Sequence, residues 1–212
     1  MVVTQDLGER AGRAPSTGAA PGQLELVRAF VNTLDIEAGT DGLAEPEGLR
    51  RWLAAGGLPS QREVTAADLR EAIAVREALR TVLRAHVTGT VETAELAELR
   101  EVAGRLPIRL AIADDGSPAP APAGTGTAAS LAAILLIATE AAATGTWQRL
   151  KVCGADDCQW AFYDRSPAKS GCWCSMAVCG SRAKSRSYRR RASGARATSP
   201  GQGGTAAGRA AS

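Results

Sequence analysis

All five cysteines of this chain fall between positions 153 and 179, and no other feature limits the fold as much. Cys153, Cys158, Cys174 and Cys179 give C-x4-C, fifteen intervening residues, then a second C-x4-C. Two thiolate pairs of equal spacing suit a tetrahedral zinc ion, because two side chains on one tight turn face one ion at little cost in loop entropy. Four sulfur ligands leave no position for water or substrate, so such a site is structural rather than catalytic. Cys172 is an alternative ligand in place of Cys174, or else a candidate redox thiol beside the metal. A disulfide pair or an iron-sulfur cluster would use the same residues, but the paired spacing and the basic sequence that follows favour zinc.

Charge divides the chain at about the same place. Residues 1–164 carry 15 Lys/Arg against 22 Asp/Glu, whereas residues 165–212 carry 10 against none. An acidic body joined to a basic end points to a polyanionic partner such as DNA. With Ser175 as its N-cap, Met176 to Ala192 reads as a helix. Arg182, Arg186, Arg189 and Arg190 then fall on one face, with Lys184 and Arg191 beside it, and this crowding of like charge is relieved if phosphates neutralise it. Between the cysteine pairs, Trp160, Phe162 and Tyr163 read as strand and core of the small module.

The chain as a whole is rich in small helix formers, with 43 Ala and only 8 aromatic residues among 212. Apolar residues at helical spacing predict a helix from Leu24 to before Gly39, a short one from Pro46 to Gly56, and a long one from the Thr65 cap to His86. A further short helix is expected from Glu92 to Ala103, and Thr127 to Ala143, apolar nearly all round, reads as a buried central helix. Leu106 to Ile112 alternates as one strand, but Pro118, Pro120 and Pro122 argue against a second after the Asp115-Gly116 turn. The expected organisation is a disordered leader (1–20), a helical domain (21–146), a zinc finger of strand pair plus basic helix (147–192) and a disordered tail (193–212). The fold class is thus mainly α with a small β-hairpin. No apolar run reads as long enough for a bilayer, and the start lacks a signal-peptide order, so a cytoplasmic protein with reduced thiols is expected.

The runs Arg149 to Cys153, Asp156-Asp157-Cys158, Trp160, Phe162-Tyr163-Asp164 and Trp173 to Lys184 closely resemble the CGNR zinc finger of bacterial proteins. Upstream, Phe30 to Asp35 and Leu69 to Arg80 resemble the ABATE domain that precedes this finger. The resemblance covers about residues 23–191 and implies a stress-response transcription regulator that binds DNA through a finger holding zinc at Cys153, Cys158, Cys174 and Cys179. Ser181 stands where the family has Asn, and Cys172 where a basic residue is usual.

In the helical domain, Asn32, Asp35, Arg76 and Glu77 are candidates for a small-molecule effector pocket, with hydrogen-bonded helix packing as the other reading. His86 reads as a helix-terminal cation or a surface residue. Phosphate loops, H-E-x-x-H and nucleophile elbows are missing from the sequence, so no enzyme is expected. A DNA-binding regulator is the expectation, with dimerisation or a second contact needed for so small a finger to read a long site; a zinc-dependent protein-interaction or redox-sensing module is the alternative.

Overall fold

The structure, a computed structural model, describes residues 18–59, 63–90 and 93–197. Most of the expected leader and the end of the expected tail (1–17 and 198–212), with the helix start at Glu92, lie outside the described residues. Gly18 to Ala20, assigned to the leader, belong to the packed chain: Ala20 is buried and its N–H donates to Glu25 at 2.6 Å.

Helix α1 (Leu24–Val31) stops well short of Gly39. Its continuation is diverted by short polar side chains that bond the local backbone: Thr33 Oγ1 donates to Phe30 O at 2.8 Å, and Ala38 N–H donates to Asp35 at 3.0 Å. The chain turns through Gly39 at φ +66°, so β1 (Leu34–Asp35) pairs with β2 (Thr40–Asp41). Helix α2 (Pro46–Ala55) begins on its proline, whose missing N–H costs nothing there. Helix α3 (Ala66–Thr88) starts at a reciprocal capping box, Asp68 N–H to Thr65 Oγ1 at 3.1 Å and Thr65 N–H to Asp68 at 2.8 Å, and ends at the left-handed Gly89. Helix α4 (Thr93–Arg105) follows.

The second strand that the prolines argued against does form. β3 (Ile108–Ile112) pairs antiparallel with β4 (Pro118–Pro122) along its whole length. The ladder is closed by Ala113 N–H to Ser117 O and Ala123 N–H to Pro107 O, both 2.8 Å. The alternation of an antiparallel pair therefore places Pro118, Pro120 and Pro122 where an N–H would point away from β3, and proline removes no bond there.

Helix α5 (Thr127–Ala143) packs Leu131, Ala132 and Ile134 against Val27, Phe30, Leu79 and Leu83. By length and composition Gly126–Ala143 is apolar enough to cross a bilayer, contrary to the reading above, yet half of it is buried within this fold. A 3-10 turn (Trp147–Arg149) leads to the finger: β5 (Leu150–Val152) and β6 (Ala161–Tyr163) pair antiparallel, and a π turn (Met176–Gly180) opens α6 (Ser181–Ala197). Leu150, Val152, Ala161 and Tyr163 join the helical core, whereas Cys153, Ala155, Cys158, Phe162, Cys174 and Cys179 form a second cluster flanked by Trp160 and Trp173. The architecture is mainly helical, with a four-cysteine finger of strand pair and basic helix.

Candidate metal centre and its docking surface

Cys153 leaves β5 with its N–H bonded to Trp160 O at 2.9 Å, and Cys158 N–H donates to Ala155 O at 2.9 Å, so the first pair sits on one closed turn. Of the second pair, Cys174 precedes the π turn and Cys179 lies within it, and Gly180 N–H there reaches back five residues to Ser175 O at 3.0 Å. That helix was expected to begin at Met176 under a Ser175 cap; the Ser175 side chain makes no capping bond, and the α-helical part starts at Ser181. A Cβ on Gly180 would lie 2.9 Å from Met176 Sδ and 3.3 Å from the Trp173 ring, so a side chain there would displace the exposed Met176 thioether. Ser181 Oγ donates to Met176 O at 3.2 Å, so the hydroxyl in place of the family's Asn bonds the turn itself.

The four sulfurs of Cys153, Cys158, Cys174 and Cys179 lie within 4.8 Å of one another, and all four residues are buried. Cys158 and Cys174 are 3.6 Å apart at sulfur, Cys174 and Cys179 3.7 Å. A tetrahedron with Zn–S near 2.3 Å has edges of about 3.8 Å, so the donor set fits zinc. Thiols so crowded hold their protons: Cys153 is pushed up to about 12, first by its hydrogen bond with Cys158, and Cys174 is raised further by Cys153 and Cys158. A dication reverses this, because four thiolates coexist only around compensating charge. Cys172 stands outside the four-sulfur group, half-buried, its Sγ 3.4 Å from Ser170 O.

The loop that returns to the second cysteine pair is built around a buried ion pair which the sequence did not reveal. Lys151 Nζ, from β5, donates to Asp164 at 2.8 Å and to the carbonyls of Lys169 at 2.6 Å and Gly171 at 3.1 Å. Asp164 also accepts from Ser166 N–H at 2.9 Å and Gly171 N–H at 2.8 Å. Burial opposes its ionisation, but Lys151 and Ser166 outweigh burial and hold the carboxyl well below the usual range.

Asn32, just past the end of α1, and side chains of α3 grip the finger. Asn32 Nδ2 donates to Ala161 O at 2.9 Å and its Oδ1 accepts from Ala161 N–H at 2.7 Å, which uses both ends of the amide on one residue of β6. Arg80 donates to Gln159 O at 2.9 Å and to Val31 O at 2.7 Å. Arg76 is held by Asp41 at 2.7 Å and by Glu77 at 2.7 Å. Burial would raise the Asp41 carboxyl, but bonds from Arg76 and the Leu43 N–H lower it on balance. Asn32, Asp35, Arg76 and Glu77 are therefore committed to packing and docking bonds. None of them lines the groove of about 1150 Å³ between α1, the end of α2, β4 and α5, whose walls include Leu26, Leu58, Pro120, Leu136 and Ile137.

His86 is neither the surface group nor the cation that its position on α3 suggested. It is half-buried, its Nδ1–H donates to Leu150 O at 2.8 Å, and Trp147 packs edge-on at 5.5 Å. Burial lowers its pKa below the ordinary 6.5 and Lys151 adds to it, outweighing the bond to Leu150 O, which acts the other way. Because the folded form binds the proton less well than the unfolded chain, this contribution is complete above about pH 6.5 and is lost as pH falls toward the folded value. Chemical denaturation of the zinc-loaded protein should accordingly show a decline from pH 7 to 5.5 that is shallower in His86→Gln.

On α6, Lys184, Arg186, Arg189 and Arg190 are exposed, and so is Tyr188, which the charge pattern had hidden. Arg182 pairs with Glu37 of the helical domain and lies 3.6 Å from Asp157, and Arg186 lies 3.2 Å from Asp157. The five basic residues expected to meet DNA thus share one helix, but its first turns face carboxylates of the same chain.

Residues 24–146 match the family model described as "Putative stress-induced transcription regulator", ABATE, and residues 149–192 match the CGNR zinc finger. No curated protein matches the chain.

Proposed function

The chain belongs to the ABATE family and carries its CGNR zinc finger, and on that premise we propose that it is a cytoplasmic DNA-binding regulator whose α6 contacts the phosphate backbone. The observation that carries this reading is the exposed row Lys184, Arg186, Arg189 and Arg190, anchored at its start by a metal centre that fixes the helix direction. When bound at these four cysteines, zinc would crosslink the turn after β5, the return loop and the π turn that opens α6, and with four sulfur ligands it would have no open position, so the reading assigns no catalytic step to it.

Each phosphate neutralised adds roughly 0.9 to the dependence of log K on log salt, so four contacts give a slope of about 3 to 4 in magnitude. Fluorescence anisotropy with a labelled duplex should show that slope. The double variant Arg189→Ala/Arg190→Ala should reduce it by about 2 with zinc content unchanged. An absence of duplex affinity even at low salt would sink the proposal. The alternative, a protein-docking or redox module, draws on Cys172, two positions from a ligand yet outside the sulfur cluster. Under that reading mild peroxide expels zinc from the wild type and spares Cys172→Ser. A small-molecule effector of the helical domain would enter the apolar groove beside α5 rather than the Asn32 cluster, and a ligand screen read by thermal shift tests that.

A further inference from the structure

The hairpin of β3 and β4 presents an apolar face to solvent. Ile108, Leu110 and Ile112 are 48%, 73% and 69% exposed, and their cross-strand partners are Pro122, Pro120 and Pro118. Opposed residues of an antiparallel pair project to the same side, so that face carries only aliphatic groups. The two edges of the hairpin are unlike each other. On β4 every outward position is proline, so that edge offers no donor. On β3 the N–H groups of Ile108, Leu110 and Ile112 point outward, and among the described residues nothing bonds to them.

We infer that β3 pairs antiparallel with β3 of a second copy of this chain across a two-fold axis at Leu110, joining two hairpins into one four-stranded sheet. Three observations select this occupant. Only the β3 edge can pair, and the proline edge stops the sheet on either side, so assembly closes at two chains instead of growing. Charge is complementary in the antiparallel sense: Arg105 precedes β3 and Asp114 and Asp115 follow it, so each cation meets the other copy's carboxylates, whereas parallel pairing sets like beside like. Arg105 also bonds Glu101, but that pair is more than half exposed and holds the guanidinium weakly. Register follows from the same accounting. Centred on Leu110, all three outward N–H groups are used and Arg109 faces Ala111 of the second copy. Centred on Arg109, two guanidinium groups would face each other; centred on Ala111, Ile108 would drop out of the pairing.

One strand edge and one hairpin face bury much less than the roughly 800 Å² per partner of a standard interface, so the equilibrium belongs in the micromolar range. Sedimentation equilibrium of the full-length, zinc-loaded protein under reducing conditions should therefore show a concentration-dependent monomer and dimer up to about 200 µM. Leu110→Pro removes an outward N–H and no bond to β4, since its partner Pro120 already occupies the same kind of site. Leu110→Lys sets two cations together at the two-fold axis. Each should weaken dimerisation by at least about tenfold, with zinc content and melting temperature unchanged. A wild type that stays monomeric throughout, or folded Leu110→Pro that dimerises as the wild type does, overturns the inference. If Leu110→Pro melts early, Leu110→Lys decides: undiminished dimerisation in that variant places the interface elsewhere.

Discussion

Chelating the zinc, or replacing Cys158 by Ser, should melt the turn from Cys153 to Gln159 and the return from Cys172 to Gly180, while the helical core, with β6 held on it by Asn32, keeps a cooperative transition. The cluster around the sulfurs contains one large buried side chain, Phe162, with Trp160 and Trp173 at its margin, too little apolar burial to order the return loop and the π turn. Apparent binding free energies of structural zinc run to about 10–16 kcal/mol, comparable to the whole stability of a domain, so no other single change should have a larger effect. Near-UV circular dichroism should lose the signal of Trp160 and Trp173. Amide exchange should lose protection over 153–159 and 172–180, and duplex affinity should fall with it. Cys172→Ser should leave zinc stoichiometry at one per chain, since its sulfur lies outside the four-sulfur group; a drop in bound zinc there would reassign the ligand set.

Lys151→Met should be the most damaging substitution away from the metal ligands. It leaves Asp164, 4% exposed at its side chain, without a cation, and strips the carbonyls of Lys169 and Gly171 of their donor. Breaking one side of a buried pair costs about 3–5 kcal/mol, measured as a shift of the urea midpoint of zinc-loaded protein at pH 7. Lys151→Met/Asp164→Leu should recover part of that loss, because neither charge is then left buried alone. The pH sign is opposite to any stabilisation by acid. Asp164 is held below its unfolded value of about 3.9, so its contribution is present above that pH and lost as pH falls through it toward the folded value. Lys151→Met should lack that portion of the acid sensitivity.

The metal centre was legible in the sequence because coordination by two close pairs is a local pattern, written in spacing. Helix α3 was legible for the same reason, since its capping box lies within the helix's own first turn; its left-handed stop at Gly89, past the expected end at His86, was not read. Two larger features were not legible. Proline content argued against β4, and what decided the matter was parity, the placement of all three prolines on the side of the strand where no donor is needed. The other was docking. Asn32 is 129 positions from its partner, Arg80 is 79 and His86 is 64, and in each case the partner is a backbone group that leaves no mark on residue identity. The pocket reading of Asn32, Asp35, Arg76 and Glu77 stood beside the packing reading for that reason; Asn32 bonds the finger, and the other three bond groups of the helical domain.

That style of docking distributes evolutionary freedom unequally. Asn32, Arg80 and His86 each read the finger's main chain, the amide of Ala161 and the carbonyls of Gln159 and Leu150, rather than its side chains. Those bonds do not depend on which side chains stand at 150, 159 and 161, although Leu150 and Ala161 are fully buried and accept only apolar residues that fit the core. No such latitude exists on the helical side, where loss of one amide, guanidinium or imidazole strands a buried main-chain group. Lineages of this architecture should therefore diversify what the finger recognises while inheriting the helical seat almost unaltered.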